Sequence, residues 1–202
     1  MATPKQKPIT PETKLAVTSL IPEGENLELN APLSEEPVLG VFLYRKEATF
    51  PTKGDEEAAC YDLYTALTER EEIVQFGEDN KPIHTHVTHG QFTLHPKSRA
   101  LIPTGIKFDI PKGYEVKCFS RSGYSFKQGV FLCNSVGVVD SSYTGEVFIP
   151  VYNSTTERVV IENAQRVIQF QLSKVLDYTL NPTTKYDKKT ERGEGGFGST
   201  GV

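Results

Sequence analysis

Cysteine is scarce in this chain: three in 202 residues, Cys60, Cys118 and Cys133, with no CxxC pair. That excludes a disulfide scaffold and fits reduced thiols in a cytosol-like compartment. No apolar run approaches the ~18 residues of a membrane helix, and the opening MATPKQKPITPETK has no signal-peptide apolar region. The expectation is a soluble, cytoplasmic protein with no membrane partner, a virus or phage being one candidate source. Positive charge is also short, 22 Lys and Arg against 26 Asp and Glu, for a net charge of −4. Long nucleic acid is therefore not an expected partner, and a phosphate ligand must be met by a few placed cations. Long amphipathic helical stretches are lacking too, which turns attention to strands.

Strand-like alternation begins near residue 38. Val41 and Leu43, Phe92 and Leu94, Ile106, Phe108 and Ile110, Val116 and Cys118, and Ile168, Phe170 and Leu172 recur with period two. Turns such as Pro103-Thr104-Gly105 and Pro111-Lys112-Gly113 separate the runs. The fold class expected is all-β, a jelly-roll-like β-sandwich or barrel over one core. Residues 1–37, rich in Pro, Thr, Glu and Lys, are expected to be a mostly loose extension in which Thr10-Pro11-Glu12 can open a short helix. Residues 38–175 form the β domain, with 69–91 as an insertion. There His84 and His86 share a strand face, and a solvated hairpin is favoured over a metal pair. Residues 176–202 read as a polar connector and a flexible arm.

That arm ends in RGEGGFGSTGV, whose five glycines cannot build a core. Free N–H groups, Arg192, the flat face of Phe197 and the Ser199-Thr200 hydroxyls instead suit a lid over a nucleotide. Four internal segments add chemistry. SRSGYS places Arg121 and Ser122 before Gly123, where backbone can approach a polyphosphate. NSVGVVDSSYTGEV, Asn134 to Val147, reads as a hairpin whose Asp140 can take a proton from a water attacking phosphorus. Tyr143 at its bend can pack on a deoxyribose and reject a 2′-hydroxyl. AACYDLYTA holds Asp62 in an apolar strand, where it must be hydrogen-bonded or face a solvated metal. Gln165-Arg166-Val167-Ile168-Gln169 adds a polar strand entrance.

In this order, AACYDL, SRSG, GVVDSSYTGEV, QRVIQ and RGEGGFGSTG, the segments resemble the five motifs of the trimeric dUTPase family, across roughly residues 38–202. The resemblance implies a jelly-roll homotrimer with active sites shared between subunits. It implies hydrolysis of dUTP to dUMP and pyrophosphate by Mg²⁺-assisted in-line attack of water on the α-phosphorus, limiting uracil incorporation into DNA and supplying dUMP for dTMP synthesis. Asp140 would activate the water and Tyr143 would exclude ribose. Main-chain groups of Asn134–Val139 would read uracil, with Asn134 adding a side-chain bond. Arg121, Ser122 and Gly123 of a neighbouring subunit, with Gln169, would hold phosphates. Arg192 would meet the γ-phosphate, Phe197 would stack on uracil, and Gly198, Ser199 and Thr200 would complete the cap. Asp62 would hold waters around Mg²⁺. The chain departs from the family's pattern at Cys60 (usually Gly), Ser120 (usually Pro), Thr144 (usually Arg) and Ala164-Gln165 (usually Gly-Asp). A related dCTP deaminase is the nearest rival, with Glu146 its weak candidate base.

Overall fold

The computed structural model describes residues 36–195. In chain order the strands are β1 (Gly40–Leu43), β2 (Tyr61–Tyr64), β3 (Glu72–Phe76), β4 (Pro82–His86), β5 (Gln91–Leu94), β6 (Arg99–Pro103), β7 (Ile106–Asp109) and β8 (Tyr114–Ser120). After the short helix α1 (Ser122–Gln128) come β9 (Val130–Leu132), β10 (Val136–Asp140), β11 (Phe148–Asn153), β12 (Val159–Glu162) and β13 (Arg166–Lys174). All registered strand pairs are antiparallel. The two larger sheets run β10-β8-β13-β2 and β4-β3-β6-β11-β9, accompanied by the pairs β1-β7 and β12-β5. This is an all-β arrangement of the jelly-roll type, as expected from the period-two patterning.

The core follows from that alternation. Val116 and Cys118 on β8 and Ile168 and Phe170 on β13 are buried, and so are Ile102 on β6 and Ile149 and Val151 on β11. Phe170 stacks on Tyr61 and tilts against Phe108, with ring centroids 5.9 and 4.9 Å apart. Phe92 and Leu94 on β5 and Ile161 on β12 are fully buried, so a Phe-to-Ala truncation there removes about 3–5 kcal/mol. Gly105, between β6 and β7, has φ of 66°, and a Cβ there would stand 2.6 Å from that of Ala48. Only glycine fits both constraints.

Residues 69–91 are more closely joined to this core than their charge suggests. β3 and β4 form a hairpin, but β3 also bonds to β6 inside the five-stranded sheet. Gln75 is fully buried with its amide satisfied. Its Nε2 donates to Thr85 Oγ1 and Thr93 C=O, both at 2.8 Å, and its Oε1 accepts His95 N–H at 2.9 Å. β4 is the outer edge, where His84 and His86 are exposed and His84 Nδ1 sits 2.9 Å from Glu72.

Candidate active site

Two cavities collect the chemistry-bearing residues. The first, of about 280 Å³, is lined by Cys60, Asp62, Arg121, Ser122, Gly123, Arg166 and Gln169 among others. Three separate segments converge because β13 lies between β2 and β8, its Gln169 registering with Asp62 on one side and Phe119 on the other. Asp62 is nearly inaccessible and answers its desolvation with two guanidiniums. Arg121 Nε lies 2.7 Å from Oδ1 and Arg166 Nη1 lies 3.1 Å from Oδ2. Arg121 Nη1 also donates to the Arg166 carbonyl at 2.9 Å. A shared carboxylate thus aligns two forked cations beside one cavity, a layout suited to phosphate oxygens.

Ser122, Gly123 and their successors form α1, where the sequence suggested only a turn. Gly, Tyr, Ser and Phe are weak helix formers, and the helix is closed by Gly129 at φ 63°, in the left-handed conformation of a C-terminal cap. Among the described residues, a Cβ on Gly123 would meet no atom within 4 Å.

The second cavity, of about 320 Å³, is lined by Leu101, Val138, Val139, Asp140, Tyr143, Val147 and Phe148. Asp140 closes β10 and is exposed, its carbonyl accepting Tyr143 N–H at 3.0 Å. The Tyr143 hydroxyl donates to the Glu146 carbonyl at 2.8 Å. Its ring lies over Gly145, where a Cβ would stand 2.5 Å from Oη. The hairpin read from Asn134 to Val147 is not formed as such. β10 bonds to β8 in one sheet while β11 bonds to β6 and β9 in the other, so residues 141–147 are a corner between sheets. Two adjacent strand-like runs are indistinguishable from a hairpin until their partners are known. Asn134 is exposed just before β10, and its carbonyl accepts Val136 N–H at 2.5 Å.

The two cavities lie at opposite ends of β8. Asp140 registers with Glu115, whereas Arg121 follows Ser120. Six residues of extended chain separate them, roughly 20 Å at about 3.3 Å per residue. Arg192 is exposed, its Nε donating to Gly195 C=O at 2.8 Å, and lines neither cavity. Phe197, Gly198, Ser199 and Thr200 lie outside the described residues.

Sequence reasoning left Arg166 without a role, although its position two residues after Ala164 was noted. It also missed Arg45, for which no local signal exists, because its partner Glu146 is 101 residues away. Glu146 itself is buried against Arg45 and does not line the Asp140 cavity. Two of the departures from the family pattern make local hydrogen bonds. Ser120 Oγ accepts Leu132 N–H at 2.9 Å and Gln165 Oε1 accepts Glu162 N–H at 2.9 Å. Among the described residues no group of three His, Cys, Asp or Glu is placed to hold a metal, and no helix is long and apolar enough to cross a membrane.

The antiparallel sheets thus carry a paired-guanidinium cavity and, apart from it, an acid–tyrosine cleft. Residues 87–201 match the dUTPase family model. The chain is 44% identical over 114 residues to the deoxyuridine 5′-triphosphate nucleotidohydrolase of Finegoldia magna, covering 56% of this chain and 79% of that one. It is 43% identical over 112 residues to that of Bdellovibrio bacteriovorus, covering 55% and 74%. Among solved structures, the dUTPase of Staphylococcus bacteriophage 80alpha with dUpNHpp superposes with a TM-score of 0.62 at 24% identity, over 82% of this chain and 99% of that one. The dUTPase of phage phi11 of S. aureus gives 0.57 at 19%, over 75% and 99%. These two likenesses concern the fold. The chain belongs to the dUTPase family, and is with it a hydrolase.

Proposed function

We propose that this chain hydrolyses dUTP to dUMP and pyrophosphate in sites shared between copies of a homotrimer. The observation that carries the reading is the meeting of Asp62, Arg121, Ser122, Gly123, Arg166 and Gln169 around one cavity while Asp140 and Tyr143 line another. A base must come within about 3 Å of the water it deprotonates, beside the phosphates that the arginines hold. Groups placed at opposite ends of β8, roughly 20 Å apart, cannot do that together. A neighbouring copy must supply one half, and a cyclic heterologous contact does so repeatedly.

In this reading Asp140 accepts a proton from water attacking the α-phosphorus, and pyrophosphate leaves in line. Tyr143, pinned over Gly145, meets the sugar and leaves no room for a 2′-hydroxyl. Backbone groups from Asn134 to Val139 read the uracil edge. From the neighbouring copy, Arg121, Ser122, Gly123 and Gln169 position the phosphates, and Arg166 reinforces them through Asp62. Arg192 pairs with the γ-phosphate, Phe197 covers the base, and Gly198, Ser199 and Thr200 close over the phosphates from the arm that follows residue 176.

The family implies Mg²⁺, and the donor set is compatible with it. Asp62 is the one acid lining its cavity, and its oxygens retain lone pairs beyond the two guanidinium bonds. That suits a cation that arrives on the triphosphate and keeps its water shell, with Asp62 holding waters, better than a protein cage. When bound, Mg²⁺ would supply charge neutralisation on the departing pyrophosphate. A phage phi11 relative is described with a structural Mg(II) ion. Cellular roles in keeping uracil out of DNA and providing dUMP follow from this reaction. A panel of dUTP, dCTP, dTTP and UTP with Mg²⁺ tests it: dUMP and pyrophosphate from dUTP are expected, and turnover of another nucleotide in preference would refute it.

A further inference from the structure

The corner carrying Asp140 and Tyr143 has little to hold it in place from within. Ser141, Ser142 and Thr144 are exposed, and the Tyr143 hydroxyl rests on the Glu146 carbonyl. Glu146 is what fixes the far leg. Its side chain is buried and turned from the cleft, with Oε1 accepting Gly105 N–H at 2.9 Å. Arg45 Nε lies 2.7 Å from Oε1 and 2.9 Å from Oε2. The other edge of that guanidinium is held by Glu71, 2.7 Å from Nη1. Next door, Val147 N–H donates to Ile106 C=O at 2.9 Å and its carbonyl accepts the Thr104 hydroxyl at 2.6 Å. The corner thus ends on a buried carboxylate locked to an arginine from the segment after β1 and to the glycine turn after β6.

We infer that Glu146, clamped by Arg45, is a positioning residue that sets where Tyr143 and Asp140 stand, and so governs discrimination between deoxyribose and ribose. The inference rests on the role given to Tyr143 above. The Glu146 backbone carbonyl is the anchor of the Tyr143 hydroxyl, and the Glu146 carboxylate immobilises that backbone. Gly145 lets the ring lie flat against the chain, so movement of residue 146 is passed directly to the ring. Releasing the carboxylate would let the tyrosine drift and admit a 2′-hydroxyl.

The test compares Glu146→Gln and Arg45→Met with the unsubstituted full-length chain. It measures kcat and KM on dUTP and on UTP, melting temperature, and amide hydrogen exchange. Expected are a fall of about tenfold in kcat/KM for dUTP and a several-fold loss of preference over UTP. Amide exchange in residues 141–145 should accelerate about tenfold with β8 and β13 unchanged. A parallel loss on both nucleotides tracking a lower melting temperature, with unchanged exchange in the corner, would overturn the inference. Should either variant fail to fold, Glu71→Gln keeps the inner ion pair and loosens only its outer support. It should shift UTP discrimination in the same direction by a smaller factor, and no shift would count against the clamp. Failure of the unsubstituted chain to hydrolyse dUTP would sink the proposed activity, while the exchange comparison still decides the clamp.

Discussion

Asp62 and Arg121 are joined by a 2.7 Å ion pair that ties β2 to the end of β8, and Arg166 closes the same carboxylate from β13 at 3.1 Å. The pair is a structural tie and an alignment device at once. Asp62→Asn keeps the shape but weakens both charge-assisted bonds, and Arg166 is half exposed, so the cost is discounted to about 1–2 kcal/mol. The expected outcome is a melting temperature lower by roughly 3–8 °C and a several-fold higher KM for dUTP, read by calorimetry and steady-state kinetics.

Asp140 is given the proton-accepting role, so Asp140→Asn should lower kcat by about 10²–10⁴-fold. Affinity for a non-hydrolysable dUTP analogue, measured by calorimetric titration, should stay within a few-fold. Retained turnover would show that another group activates the water.

In the proposed role, Tyr143→Ala opens the space beside the sugar. Discrimination of dUTP over UTP by exclusion alone is worth on the order of 10², and most of that factor should disappear. Competition assays with the two nucleotides provide the measurement.

Ala164 holds φ of 55° just before β13, at a position where the family commonly has glycine. The left-handed conformation penalises an L side chain, so Ala164→Gly should stabilise by up to about 1 kcal/mol. The melting temperature should rise by about 2–4 °C.

Burial pushes the Cys118 thiol up to about 12 from 9.0, and the Tyr124 phenol up to about 12 from 10.0. The folded state therefore holds these protons more tightly than the unfolded chain. Their contribution is intact below pH 9, where both states keep the protons, and is lost as pH rises from there towards 12. Melting curves should be flat from about pH 7 to 8.5 and fall above pH ~9, with a shallower fall in Cys118→Val.

Much of the fold was legible because burial on one face of a strand imposes period two. Val116, Cys118, Ile168 and Phe170 show that rule without ambiguity and are buried as the pattern requires. Partner choice was not legible: the runs at 136–139 and 146–151 look like hairpin legs, yet belong to different sheets. β3 was hidden behind charge, since its inward positions are Ile73 and a fully bonded Gln75. Asp62 could be recognised as an acid needing partners, and geometry supplied Arg121 and Arg166. The Arg45–Glu146 contact spans the sequence and has no periodic trace. The reading of the glycine-rich arm rests on its chemistry alone, since Phe197 to Thr200 lie outside the described residues.

In the proposed function a working site takes Asp140 from one copy and Arg121 from another. Co-expression of Asp140→Asn and Arg121→Ala chains, each inactive alone, tests it most directly. Random mixing in a cyclic trimer leaves intact sites at roughly a quarter of positions, so about that fraction of wild-type dUTP hydrolysis should return. Mixed assemblies that form but stay inactive would contradict the shared site and return both residues to a single chain.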